Sequence, residues 1–239
     1  MLIKDIEMAL TLAESKGWKP GGESISRNAL IHLLRRLEKT TTELRILQLG
    51  SSQTVFVWEA LRSLDLLPVE VIVIEHDPIR ASQLLTNTTS MTGITLNWNS
   101  LKQVTDGECE QLFSEPAEAS ERWGTIGKSV PLNQYQHYTI RNTFYGEAHQ
   151  IPLLHNKIDV LIVDGPHGNG RSFAFPIFSS LLKKDALVLI DDFDHYPFAA
   201  DLERIFSFDE IYKDVWEDQH WLLVRLTGGK IEAKAMLQQ

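Results

Sequence analysis

A single cysteine, Cys109, is all that the 239-residue sequence contains, so no internal disulfide can form. The polar stretch around it lacks metal-ligand spacing, and an incidental thiol is the plainest reading. Positive charge is also scarce. Lys and Arg number 23 against 32 Asp and Glu, a formal charge of -9. A protein built to neutralise phosphate backbones needs the opposite balance, so nucleic acid is not an expected partner. Long apolar runs are missing as well, and no stretch approaches the ~20 residues that span a bilayer. The opening residues carry Lys4, Asp5, Glu7 and Glu14, unlike the uncharged core of a signal peptide. These absences lead to the expectation of a cytoplasmic protein with no membrane partner. What is present is an ordinary globular composition, 43% hydrophobic and 23% charged, at a length that fits one large domain.

Ile3, Ile6, Leu10 and Ala13 recur at helical spacing up to the break at Gly17. A second helix carries Leu30, Leu33, Leu34 and Leu37 on one face, with Ser26 as its N-cap. Residues 1–43 are therefore expected to be N-terminal helices packing on or capping the site, ahead of a main domain over 44–239. From Leu44 the pattern changes to short apolar runs separated by helical stretches, which predicts βαβ units around a buried parallel sheet. Strands are predicted at Leu44–Leu49, Val69–Ile74, Ile94–Trp98, Ile158–Val163 and Ala186–Ile190. Helices are predicted at Thr54–Leu67, Pro78–Ser90 and Ser172–Lys183. Glu210–Trp216 and Trp221–Leu226, separated only by a turn around Asp218, read as an antiparallel pair. The sum is an α/β, Rossmann-like, doubly wound, mostly parallel seven-stranded sheet with a C-terminal antiparallel hairpin. Residues 105–156 break the rhythm. They are long, polar and weakly periodic, yet hold Trp123, Tyr135, His137, Tyr138, Phe144, Tyr145 and His149, so a partly ordered substrate cap is expected there.

Ligands of open α/β sheets bind beyond the carboxyl ends of the strands, and four strand ends carry polar signatures. The first is Leu49-Gly50-Ser51-Ser52-Gln53-Thr54, where a glycine turn and small hydroxyl residues let backbone amides approach a ligand at a helix N-terminus. A dinucleotide fingerprint would need glycines at the places of Ser52 and Val55, which counts against a nicotinamide-dependent oxidoreductase. The second strand ends in Glu75-His76-Asp77-Pro78. Glu75 is suited to accept both hydroxyls of a ribose, His76 lies beside it, and Asp77 caps the helix opened by Pro78. After the fourth strand comes Asp164-Gly165-Pro166-His167-Gly168-Asn169-Gly170-Arg171, the expected reaction centre. After the fifth comes Asp191-Asp192-Phe193-Asp194-His195. Neighbouring strands would bring Asp164, Asp191 and Asp192 together, and converging carboxylates repel unless protonated or bridged by a cation. Such oxygen ligands suit Mg²⁺, Mn²⁺ or Ca²⁺. The plain alternative is that Asp192 and Asp194 only cap the turn.

In this order and spacing the four segments resemble class I S-adenosylmethionine-dependent methyltransferases. They look most like bacterial members with a VDGP or DG-H segment, and are similar there to plant glucuronoxylan O-methyltransferases. The resemblance covers about Leu44 to Leu226. It implies that Gly50, Ser51, Ser52 and Thr54 hold the methionine part of S-adenosylmethionine and Glu75 its ribose, with His76 and Asp164 on the flanks. It also implies, from metal-dependent O-methyltransferases, a divalent cation on Asp164, Asp191 and Asp192. The chain departs from the pattern at Ser52, where a glycine is usual, at Gln48, where an acid is often found, and at Lys183-Lys184-Asp185, which lacks a double glycine. The expected activity is O-methylation of a small hydroxylated acceptor such as a sugar, phenol or natural product. Asp164 and Asp191 hold that acceptor, directly or through the cation, and His167 removes its proton. A catalytically silent binding module on the same fold is the alternative, and a homodimer is left open.

Overall fold

Runs such as Val71-Ile72-Val73-Ile74 are apolar at every position because both faces of the sheet they form are covered, the condition under which parallel strands occur. The computed structural model describes residues 1–21, 24–37, 43–50, 53–87, 92–135, 141–151, 157–216 and 219–230. Its strands in chain order are β1 (Leu44–Leu49), β2 (Val69–Glu75), β3 (Ile94–Trp98), β4 (Leu101–Gln103), β5 (Lys128–Ser129), β6 (Thr143–Tyr145), β7 (Ile158–Val163), β8 (Leu182–Asp191), β9 (Phe206–Trp216) and β10 (Gln219–Gly229). The helices are α1 (Ile3–Ser15), α2 (Arg27–Arg36), α3 (Val55–Ser63), α4 (Pro78–Asn87), α5 (Asp106–Ser114), α6 (Ala119–Trp123), α7 (Ala174–Ile177) and α8 (Phe198–Ile205).

The main sheet has the order β3-β2-β1-β7-β8-β10-β9. Strand β1 lies parallel to both β2 and β7, so strand order reverses there, while β10 runs antiparallel to β8 and β9. The chain is thus a Rossmann-like α/β protein with the seven-stranded sheet and terminal hairpin expected. Side chains alternate between two cores. Ile46, Val71, Val73, Val160, Ile162 and Leu189 meet Leu10 of α1, Leu33 of α2 and Trp58 of α3. Leu47, Leu49, Ile74, Val163 and Ile190 meet Trp123, Phe144, Phe173, Phe178 and Phe198.

That second core is where the long segment after β3 goes. Strands β4, β5 and β6 form a small antiparallel sheet in the order β5-β4-β6, and Trp123 Nε1 donates to Tyr145 O at 2.9 Å. Trp123, Phe144 and Tyr145 are fully buried, so the segment supplies apolar contacts that a regular crossover helix would otherwise make. His137 and Tyr138 lie outside the described residues.

Three predicted helices differ in extent. Thr54–Leu67 is shorter, ending at Ser63, and Pro78–Ser90 is seen to Asn87, with 88–91 outside the described residues. The helix predicted over Ser172–Lys183 is instead a 3-10 turn at Asn169–Phe173 followed by the single turn of α7. Pairing of Leu182 with Ile158 draws β8 back to Leu182, and Lys183 forms an ion pair with Asp159, so the helix has no room to continue. The 3-10 turn packs its backbone on β6. A Cβ at Gly170 would sit 1.8 Å from Thr143 O. Gly170→Ala is therefore expected to destabilise the protein by about 1–3 kcal/mol or more, as overpacked interiors do, read as a lower urea midpoint.

Candidate active site

The ends of β1, β2 and β7 are knitted by backbone bonds at the switch point, Gly50 N donating to Ile74 O at 2.9 Å and Asp164 N to Leu49 O at 3.0 Å. Gly50 has φ +94°, and a Cβ there would lie 3.1 Å from Asp164 C and Gly165 N, so both conformation and space demand glycine. Gln48, fully buried, braces this turn. Its Nε2 donates to Gly50 O at 3.1 Å and its Oε1 accepts from Trp58 Nε1 at 2.9 Å. Ser51 and Ser52 lie outside the described residues. Thr54 is fully buried and its carbonyl opens α3 by accepting from Val57 N at 2.9 Å.

Glu75 closes β2 with its carboxylate buried. Its Oε1 accepts from His76 N and Asp77 N, each at 2.6 Å, and lies 3.0 Å from His76 Nδ1. The His76 ring packs 5.8 Å from Tyr135 and 6.1 Å from Tyr145, centroid to centroid. Asp77 Oδ1 accepts from Ile79 N at 2.8 Å, the cap expected of it.

Beyond β7 and β8, Asp164 and Asp191 meet, with Asp192 near enough for its charge to act on both. Asp164 and Asp191 hydrogen-bond to each other. Burial, then the Asp191 charge, raises Asp164 well above the usual carboxylate range, while burial and Asp192 raise Asp191 to about 6. Both carboxyls therefore keep their protons to higher pH than an exposed carboxylate does. The charge facing them is Arg171, which lowers both values. Arg171 is buried, donating Nε to Pro166 O at 2.8 Å and Nη1 to Asp191 O at 3.0 Å, with Asp192 Oδ2 4.0 Å away. The metal expectation for Asp164, Asp191 and Asp192 finds no support in this arrangement. A permanent guanidinium stands close to these carboxylates, and among the described residues no three His, Cys, Asp or Glu side chains are grouped to hold a metal ion.

Two hollows open along the strand ends and share His167. One, of about 420 Å³, is lined by His76, Pro78, Ile79, Leu132, Tyr135 and His167. The other, of about 430 Å³, is lined by His167, Arg171, Asp192, His195, Tyr196 and Phe198. Each is within the ~300–1,000 Å³ of small-molecule sites. Although part of His167 is exposed, burial of the rest and the Arg171, His76 and Arg80 charges lower its pKa to about 4. The imidazole is neutral at pH 7 and competent to take a proton.

Sequence reasoning counted Tyr135 and Tyr145 only among the aromatic residues of the expected cap and gave Arg171 no role of its own. Arg171 carried a usable signal, since an arginine closing a polar strand-end loop is poised to meet acids from the neighbouring strand. The tyrosines carried none, because only the folded path of residues 101–151 brings them under the site.

No family model and no curated protein matches the chain. Solved structures do resemble it. A precorrin-6y C5,15-methyltransferase from Geobacter metallireducens GS-15 is 10% identical over 87% of this chain and 93% of its own, with a TM-score of 0.48. The rRNA methyltransferase aviRa from Streptomyces viridochromogenes is 15% identical over 94% and 93%, at 0.41. A ribosomal protein L11 methylase from Lactobacillus delbrueckii subsp. bulgaricus is 12% identical over 83% and 76%, at 0.41. Likenesses this distant carry no argument about activity, which rests on the site itself. No helix among the described residues is long and apolar enough to cross a membrane.

Proposed function

We propose that the chain is an S-adenosylmethionine-dependent methyltransferase acting on the hydroxyl of a small acceptor. The observation that carries this reading is the pair of hollows meeting at His167, one lined by His76 and Asp77 just after β2 and the other by Arg171 and Asp192. The residues present fit the cofactor. Gly50, at φ +94°, turns the chain after β1 without a side chain, Glu75 ends β2, and Ile79, Leu132 and Tyr135 offer apolar surface to an adenine.

When bound, S-adenosylmethionine supplies a methyl group on a positively charged sulfur. The chain's own part is alignment and proton removal. Tyr196 and Phe198 wall the second hollow, His167 accepts the acceptor's hydroxyl proton, and Arg171 steadies the negative charge that develops on its oxygen. The Pro166 and Asp191 carbonyls hold Arg171 in place. A net charge of -9 favours a small acceptor over nucleic acid.

One observation favours the second reading, a binding module without catalysis: Glu75 Oε1 already accepts two backbone N–H groups. Calorimetric titration with S-adenosylhomocysteine separates the two. The expected result is saturable 1:1 binding, unchanged by EDTA. Heat no different from buffer dilution would reject the methyltransferase reading.

A further inference from the structure

Tyr145, at the end of β6, is fully buried, yet its Oη has no hydrogen-bond partner among the described residues. A buried hydroxyl left unpaired costs about 1–3 kcal/mol, and buried polar groups are nearly always satisfied. The surroundings explain why the protein itself does not pair it. A Cβ at Gly165 would lie 2.8 Å from Oη and 3.0 Å from Gly50 Cα, which places the hydroxyl where β1 and β7 part. The Gly50 N–H beside it lowers the phenol's pKa slightly, but it is donated to Ile74 O at 2.9 Å, and as a donor it could not take the phenol proton in any case. Of the two nearby acids, Glu75 is engaged by the His76 and Asp77 amides and Asp164 by Asp191.

We propose that Tyr145 Oη donates a hydrogen bond to an acceptor oxygen of the bound S-adenosyl ligand, at the point where the Gly50 and Gly165 backbones meet. This rests on the methyltransferase reading above. Burial, with the Glu75 and Asp164 charges, pushes the phenol well above its ordinary value. The group is therefore neutral at physiological pH and keeps a proton that it can donate to an acceptor oxygen. S-adenosyl ligands carry such oxygens on the ribose and on the carboxylate. The segment between β3 and β7 then grips the cofactor from below as well as filling the core.

The test compares wild type with Tyr145→Phe, which keeps the ring and deletes only the hydroxyl. Two readouts are taken: calorimetric affinity for S-adenosylhomocysteine, and the melting temperature without ligand. The proposal expects affinity to fall by roughly tenfold, the value of one hydrogen bond, with a melting temperature unchanged or raised because an unpaired group has gone. Equal affinity for both proteins overturns the proposal and leaves the methyltransferase reading standing. A lower melting temperature in the variant overturns it too, since the hydroxyl would then be stabilising the empty protein. Wild type that does not bind overturns both.

Discussion

Replacing His167 with asparagine is expected to lower methyl transfer to a small hydroxylated acceptor by about 10²–10⁴-fold, the contribution of a positioned base, while S-adenosylhomocysteine affinity changes little. The separation follows from geometry. His167 is the residue common to both hollows, so its ring is placed to touch the acceptor's hydroxyl without being a main anchor of either ligand. Its pH dependence is a second check. The pKa is lowered to about 4, so the base loses its proton well below the usual histidine range, and the acidic limb of kcat/KM falls near that value rather than near ~6.5. An asparagine amide cannot titrate, so the same limb disappears in His167→Asn. Unchanged turnover in the variant across a panel of sugar, phenol and natural-product acceptors would remove His167 from the reaction.

Arg171→Met is expected to cost about 3–5 kcal/mol, because it leaves buried acids without their counter-charge. At about 2–4 °C per kcal/mol for a chain of this size, the melting temperature falls by roughly 10 °C. The pH dependence has a definite sign. Arg171 lowers the pKa of both Asp164 and Asp191, so removing it raises them further. A carboxyl whose folded value is raised binds its proton more tightly in the folded state. Its favourable contribution is therefore present at low pH and is lost as pH rises through the folded value. The deficit of Arg171→Met is smallest near pH 4 and grows above pH 6, where Asp191 would otherwise ionise. A deficit independent of pH between these limits would mean that the arginine contributes packing alone, as long side chains can.

The strands were legible because their signal is local. A run such as Ile158–Val163 is apolar whichever neighbour it pairs with, and Gly50, Glu75, Asp164 and Asp191 stand at strand ends where any parallel sheet exposes them. The α7 region was not legible. Phe173, Phe175 and Phe178 suggest a helical face, but the pairing of Leu182 with Ile158, set by a partner more than twenty residues away, decides where the helix stops. The segment from 105 to 156 was harder still. Its aromatic residues show no period because they reach the core from a small sheet and two short helices, each contributing one or two side chains.

The sequence by itself determined the sheet, its terminal hairpin and the polar residues at four strand ends, since these depend on short-range apolar pattern and on glycine and acid at fixed offsets. Only the tertiary structure decided what neutralises Asp164, Asp191 and Asp192. Spacing brings three carboxylates together, but electrostatics accepts any nearby positive charge, and the fold places Arg171 there. Tyr145 is the same case. Its position under Gly50 and Gly165 follows from β6 pairing with β4, a contact between residues more than forty apart that no local pattern encodes.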